Sequence, residues 1–321
     1  MRNSTLPAHG GLILASILAG ASVVATRAVI NEVPPLSLAV LRFGQGGLIL
    51  ALCLWFWAPG MLRVRRQDIQ LLTLLAILLY AIFPFFLNTG LRWTEASRGS
   101  LMLATIPVWT AILAHTAGRE QLSGRQGVGL VLSMVGVGIA VASRGLDWQG
   151  DSLAIAGDGL ILLAAVCGAA YSVLAKRAFV NYSALTITAY GMLIGTAILL
   201  PAALLEGLAT VRLGGQTLVL VLFLGILGGA LMWWLFAYAL GQMTPTQAIV
   251  YINLNPLTAM ILAVVLLDER LTAPVIIGFV VVLSGVLLVN WPQRSSFQPE
   301  EVAPIVGPSY VERPSNPPTA H

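Results

Sequence analysis

Charge is scarce in this chain: Asp, Glu, Lys and Arg make up only 9% of 321 residues, against 58% apolar. A soluble domain carries about 25% charged residues. A water-exposed fold of this composition would present large apolar patches and aggregate, which excludes an ordinary globular enzyme. Cysteine is nearly absent. Cys53 and Cys167 both lie in apolar runs without framework or ligand spacing, which excludes a disulfide scaffold and a zinc site and leaves two small packing residues. His9, His115 and His321 are scattered, so no metal constellation forms. There is no G-x-x-x-x-G-K-S/T phosphate loop, so ATP bound to this chain powers nothing. No metal or other cofactor is expected. The sequence pI near 9.4 comes from basic residues in short loops, not from a basic stripe, which argues against nucleic acid as a partner.

What the chain has in abundance is long apolar runs. A membrane-spanning helix needs about 20 apolar residues, and ten such segments can be read. They lie near 11–30, 36–57, 69–91, 97–117 and 125–143, then 153–175, 183–206, 217–240, 246–267 and 273–291. The runs are continuously apolar, whereas strands of a membrane barrel would alternate over about 10 residues. The start of the chain, with Arg2 ahead of an apolar run, reads as the first spanning helix and not as a signal peptide. The linkers Asn31–Pro35, Ala58–Asp68, Gly118–Gly124 and Asp268–Thr272 are short, as between neighbouring antiparallel helices. The expected fold class is an all-α integral membrane protein.

The runs also repeat. Gly90–Val137 returns without gaps as Ala239–Val286, shifted by 149: Pro107 matches Pro256, Glu120 Glu269, Leu122 Leu271, Gly129 Gly278 and Gly136 Gly285. Earlier segments match less closely, with Arg27-Ala28 against Arg177-Ala178 and Gly47 against Gly195 across a small gap. The expected organisation is a short N-terminal segment 1–10, a first repeat 11–143, a connecting loop 144–152, a second repeat 153–291 and a disordered proline-rich tail 292–321. The tail holds seven of the 17 prolines. Five helices per repeat is an odd number, so the second copy must enter the membrane from the opposite side, giving inverted repeats about an axis in the membrane plane. With the N-terminus in the cytoplasm, inside regions carry ten Lys or Arg and outside loops five, which predicts both termini inside.

At this point the chain resembles the drug/metabolite transporter superfamily, in its EamA-domain branch. The resemblance is carried by PPLSLAVLRFGQGGLIL (Pro34–Leu50), TEASRGSLMLATIPVWTAILA (Thr94–Ala114), GREQLSGRQGVGLVLSMVGVGIAV (Gly118–Val141) and the stretch from Thr244 to Val289. A helix proline, an E-x-L pair and a glycine-spaced closing helix occur in both halves, and the match runs from Gly10 to Trp291. The resemblance implies a ten-helix bundle around a central cavity, no ATP-binding domain, and small polar metabolites as cargo. Relatives in that superfamily export amino acids, and more distant ones carry phosphorylated or nucleotide sugars. Arg42 and Arg98 stand where substrate classes in the family differ.

Polar groups inside hydrocarbon normally face a cavity or a partner. Arg42, early in the second helix, is a candidate for holding a substrate carboxylate; the competing reading is a residue that snorkels outward or pairs with Glu32 or Glu95. Asp158, flanked by Gly157 and Gly159, is either a protonatable coupling group or partner for a substrate amine, or it simply lies in the outer interface beside the connecting loop. Gln247, Tyr251 and Asn255 recur at helical spacing around Pro256; they line a cavity or bond neighbouring helices as packing glue. Tyr80 and Asn88 flank Pro84 in the third helix, and Arg98, Thr105 and Trp109 are expected on one face of the fourth. Trp234 and Tyr238 are one turn apart, and Tyr171 is a further cavity candidate. Trp55, Trp57, Trp93 and Trp291 sit near helix ends, as interface anchors do. The closing-helix glycines read as packing or homodimer surfaces, and Glu120 and Glu269 as turn or cap residues. The expected function is export of amino acids or similar metabolites across the inner (plasma) membrane. The alternatives are a transporter of phosphorylated or nucleotide sugars and a receptor or scaffold without transport. An intramembrane enzyme would need a clustered nucleophile, metal or carboxylate pair, and the sequence shows none.

Overall fold

The computed structural model describes residues 6–118, 123–142, 152–240 and 254–290. The segment containing Gln247 and Tyr251, Glu120, most of the connecting loop, Trp291 and the tail lie outside the described residues. The described residues form helices and the links between them. α1 is Leu6–Val29 and α2 is Pro35–Trp57. α3 runs as Ile69–Ala76, passes through a π-helical turn at Ile77–Ile82, and continues as Phe83–Trp93. α4 comes in two pieces, Ala96–Leu103 and Ile106–Thr116; α5 is Gly124–Ala142. α6 is Ser152–Phe179 and α7 is Ala184–Glu206. α8 runs Gly215–Gly225, π-helical Ile226–Leu231, then Met232–Leu240. α9 is Leu254–Leu267 and α10 is Ala273–Asn290. Eight of these stretches are long and apolar enough to cross a membrane, and α9 and α10 are shorter apolar helices.

Local chemistry sets the boundaries. α2 opens on Pro35, whose missing N–H costs nothing in a first turn. α7 opens behind Ser183, whose Oγ accepts from the Thr186 N–H at 3.1 Å, and closes on Gly207 at φ +113°. α4 breaks at Ala104–Thr105 because Pro107 has no N–H for the Leu103 carbonyl; Thr105 Oγ1 turns back to the Met102 carbonyl at 2.6 Å. The break corrects the single face expected for Arg98, Thr105 and Trp109.

The outside of the bundle is apolar. Leu48, Leu52, Val131, Leu205 and Ile277 are all exposed, as suits a surface facing lipid. Inside, helices approach through glycine. α5 and α10 lie antiparallel, with Gly129 on Gly285 and Gly136 on Gly278; a Cβ on Gly136 would sit 2.7 Å from the Gly278 carbonyl oxygen. The closing-helix glycines at these four positions therefore serve packing within one chain.

The offset of 149 extends further than the sequence match. α2 and α7 share it at both ends (35 and 184, 57 and 206), so the counterpart of Gly195 is Gly46, not Gly47. The π-helical turns share it too: the Phe83 N–H reaches back to the Leu78 carbonyl, and the Met232 N–H to the Leu227 carbonyl. In α3 the cause is Pro84, which leaves the Tyr80 carbonyl without its usual donor. In α8 that position is Trp233, and the turn falls on Gly228-Gly229.

Residues far apart in sequence meet at the two ends of the bundle. At one end, Glu206 Oε2 accepts from the Leu36 and Ser37 N–H groups at 2.9 and 2.8 Å, capping α2 from α7. Glu269 does the same for α4, accepting from the Ala96 and Ser97 N–H groups at 2.6 and 3.0 Å and from Ser97 Oγ at 2.7 Å. Glu32 accepts from Thr217 Oγ1 at this end as well. At the opposite end, Tyr182 Oη donates to Asp68 Oδ2 at 2.6 Å; holding that carboxylate raises the Tyr182 hydroxyl above the usual tyrosine value.

The α5–α10 contact carries a prediction. Gly136→Ala should lower stability by about 1–3 kcal/mol, because overpacked backbone must shift. Gly138→Ala, where nothing lies within 4 Å, should be neutral or slightly stabilising. Thermal unfolding midpoints of the two variants in detergent check the contrast.

Candidate functional site

Two groups of polar side chains stand out among the described residues, and they differ in how well they are satisfied. The first is closed. Arg98 on α4 is 1% exposed and donates through Nη2 to Asp158 Oδ2 of α6 at 2.5 Å and through Nη1 to the Ala140 carbonyl of α5 at 2.5 Å. Thr94 Oγ1 donates to the other Asp158 oxygen at 2.6 Å. Gly157 and Gly90 make this possible, since each would place a Cβ within 2.8 Å of the other's carbonyl oxygen or nearer. The ion pair thus joins three helices at one end of the bundle, and Asp158 is 2% exposed.

The second group is open. α2 packs against α7 and against the π-helical turn of α8, while α7 packs against the π-helical turn of α3. Gly46 lies on the Gly225 carbonyl, and Gly195 lies on the Tyr80 backbone. By the 149 offset, Tyr80 stands where the other half has Gly229, and Arg42 stands where the other half has Gly191. One crossing therefore holds its large side chain on the π-helical turn and the other holds it on the second helix. Tyr80 is buried and Arg42 is partly buried, and both leave polar atoms to spare. Arg42 Nη2 reaches the Gly228 carbonyl at a long 3.4 Å, and Arg42 Nε has no hydrogen-bond partner among the described residues. The guanidinium lies 5.2 Å from the Phe43 ring centroid. Phe43 meets Tyr80 edge-on at 5.3 Å, and Tyr80 meets Tyr171 of α6 edge-on at 6.4 Å. The Tyr80 hydroxyl, Gln45 Oε1 and Thr196 Oγ1 are buried without a hydrogen bond among the described residues.

The other sequence candidates are dispersed around these two groups. Asn88 is buried and spends its Nδ2 on the Pro35 carbonyl at 2.9 Å. Trp109 Nε1 and Asn255 Oδ1 are buried and unbonded among the described residues. Trp234 and Tyr238 stack on each other at 6.3 Å and are both exposed. Gln45, Thr196, Thr94 and Glu206 were not singled out from sequence. Gln45 and Glu206 carried a usable signal, a polar residue within or closing an apolar run; the two threonines carried none, because threonine is common in membrane helices.

Removing one member of the buried ion pair leaves a bare charge, which costs about 3–5 kcal/mol, whereas an apolar pair of similar volume can be neutral. Arg98→Met alone should therefore collapse the folded yield and thermal midpoint, and Arg98→Met with Asp158→Leu should recover most of both.

Comparison with known proteins fits this architecture. Residues 7–142 and 155–291 each match the EamA-like transporter family. A similar protein of Archaeoglobus fulgidus, an uncharacterized transporter, is 28% identical over 89% of this chain and 98% of its own length. The uncharacterized transporter YoaV of Bacillus subtilis is 22% identical over 87% of this chain and 94% of its own. A probable terminal-alkyne amino-acid exporter of Streptantibioticus cattleyicolor is 26% identical over 72% of this chain and 76% of its own. A solved crystal structure, 18% identical, shares the fold at a TM-score of 0.63 over 88% of this chain and 95% of that one. With apolar helices throughout and two family matches that together span nearly all of it, the chain belongs to the EamA-like transporter family of the drug/metabolite superfamily, membrane transporters and not enzymes.

Proposed function

We propose that this transporter moves amino acids or related small polar metabolites out of the cell by alternating access across the plasma membrane. In this reading it has ten spanning helices in two inverted five-helix repeats, 11–143 and 153–291, with both termini cytoplasmic. The observation that carries the substrate class is Arg42. A partly buried guanidinium with one long hydrogen bond and no carboxylate within 4 Å among the described residues is short of an anion. Segment 241–253, which contains Gln247 and Tyr251 and lies outside the described residues, has no Asp or Glu in its sequence. A substrate carboxylate would satisfy it in bidentate fashion, with Tyr80, Gln45 and Thr196 offering further hydrogen bonds. One arginine suits one carboxylate charge better than a phosphate of about −2, which favours amino acids over phosphorylated sugars. The relative from Streptantibioticus cattleyicolor, a probable terminal-alkyne amino-acid exporter, supports the same class.

The inverted arrangement is supported by direction. α1 ends, and its counterpart α6 begins, at the bundle end where Glu206 and Glu269 cap other helices. The reciprocal packing of α2 on the α8 turn and α7 on the α3 turn gives two equivalent joints that can exchange shapes. The ion pair of Asp158 with Arg98 supports a structural tie for that carboxylate over a role in proton exchange, because protonating it would leave Arg98 buried and uncompensated.

Counterflow in proteoliposomes loaded with a pooled set of amino acids tests the proposal. Exchange with labelled members of the set is the expected result, and its absence from well-folded protein would overturn the amino-acid reading. Arg42→Gln should lower exchange about tenfold to a hundredfold, the worth of a hydrogen-bonded charge, with folded yield unchanged. Loss of the folded protein instead would assign Arg42 to packing.

A further inference from the structure

A second polar feature lies apart from Arg42, at the bundle end that carries the Glu206 and Glu269 caps. There the end of α1, the start of α4 and the α9–α10 loop border an open hollow of about 260 Å³ lined by Arg27, Ala28, Asn31, Glu95, Leu267 and Glu269. Its charges are not used alike. Glu269 is committed, with both oxygens bonded to the first turn of α4. Arg27 and Glu95 are only partly exposed, carry opposite charge and line the same void, yet they are more than 4 Å apart and neither has an ion-pair partner among the described residues. Partly exposed opposite charges gain little by pairing with each other, so both remain available to a ligand. They belong to different elements, Arg27 to α1 and Glu95 to the position just ahead of α4.

A hollow lined by both a guanidinium and a carboxylate matches a small molecule that carries both charges. From this geometry we infer that the crevice is a binding site for small zwitterions of the α-amino-acid class. The substrate carboxylate meets Arg27 and the ammonium meets Glu95. Asn31 offers an amide that can donate or accept, and Ala28 and Leu267 leave room for a short apolar side chain. Within the transport reading, on which this inference rests, the crevice is where cargo docks at one mouth of the protein before or after passing Arg42. A molecule with one charge satisfies one wall only and leaves the other charge unpaired, so recognition should require both ends.

The test uses full-length protein in detergent, with L-alanine as probe and propionate and ethylammonium as one-ended controls, read by calorimetry and by the thermal midpoint. An Arg42→Gln background removes the interior site proposed above. In that background L-alanine should still bind and the two controls should not. Adding Arg27→Gln or Glu95→Gln should each weaken L-alanine about tenfold or more, the value of a charged hydrogen bond, while Arg27→Lys should retain most of the binding. Both positions are partly exposed, so the variants should fold, and an unchanged midpoint without ligand checks this. L-alanine binding that vanishes with Arg42→Gln alone, or that survives both Arg27→Gln and Glu95→Gln, overturns the crevice. The two proposals fail separately: wild-type exchange by Arg27→Gln or Glu95→Gln with Arg42 intact sinks the docking role alone, whereas crevice binding in a protein that exchanges no amino acid sinks the transport reading.

Discussion

In hydrocarbon a polar group has nothing but protein to bond to. Most of this structure follows from that constraint. Helices satisfy their own backbones except at the ends, where free N–H groups remain. Glu206 and Glu269 supply those ends from distant helices, and their negative charge also suits the positive end of a helix dipole. Arg98 and Asp158 cancel each other, and the remaining Asp158 oxygen is taken up by Thr94. Against this background an unsatisfied polar atom stands out. Arg42, Gln45, Tyr80 and Thr196 are among those for which the described residues offer too few partners, as are Trp109 and Asn255.

The duplication explains why these atoms lie where they do. Each half passes its second helix across a π-helical turn of the other half's third helix, and close approach there demands glycine on at least one side. The halves solved that demand in opposite ways, with Gly191 and Gly195 under Tyr80 in one and Gly229 facing Arg42 and Gly46 in the other. A strictly symmetric protein would carry two identical side chains at these crossings. Divergence instead placed a phenol and a guanidinium there, an asymmetric pair suited to an asymmetric molecule. The links Glu32–Thr217 and Asp68–Tyr182 show the same exchange, with carboxylate and hydroxyl trading places at opposite ends of the bundle.

Much of this was legible from residues alone. Composition required a membrane protein, the constant offset of 149 between Pro107 and Pro256 or Gly136 and Gly285 marked the duplication, and short linkers implied antiparallel neighbours. Arg42 and Asp158 were identifiable because an ionised side chain in an apolar run needs a reason. Their different fates were not. Sequence offered Glu32 and Glu95 as partners for Arg42, but Glu32 bonds Thr217 and Glu95 faces a crevice. The expected face of Arg98, Thr105 and Trp109 failed because Pro107 breaks α4 between them.

Sequence by itself therefore determined the environment, the helical class and the repeat, since these depend on hydrophobicity and period, which each segment carries alone. The tertiary structure decided which charge is paired and which is spare. That choice depends on distances between helices some 60 to 190 positions apart, such as Arg98 to Asp158 and Arg42 to Gly228, and a side chain's partner across a crossing leaves no local trace in the chain.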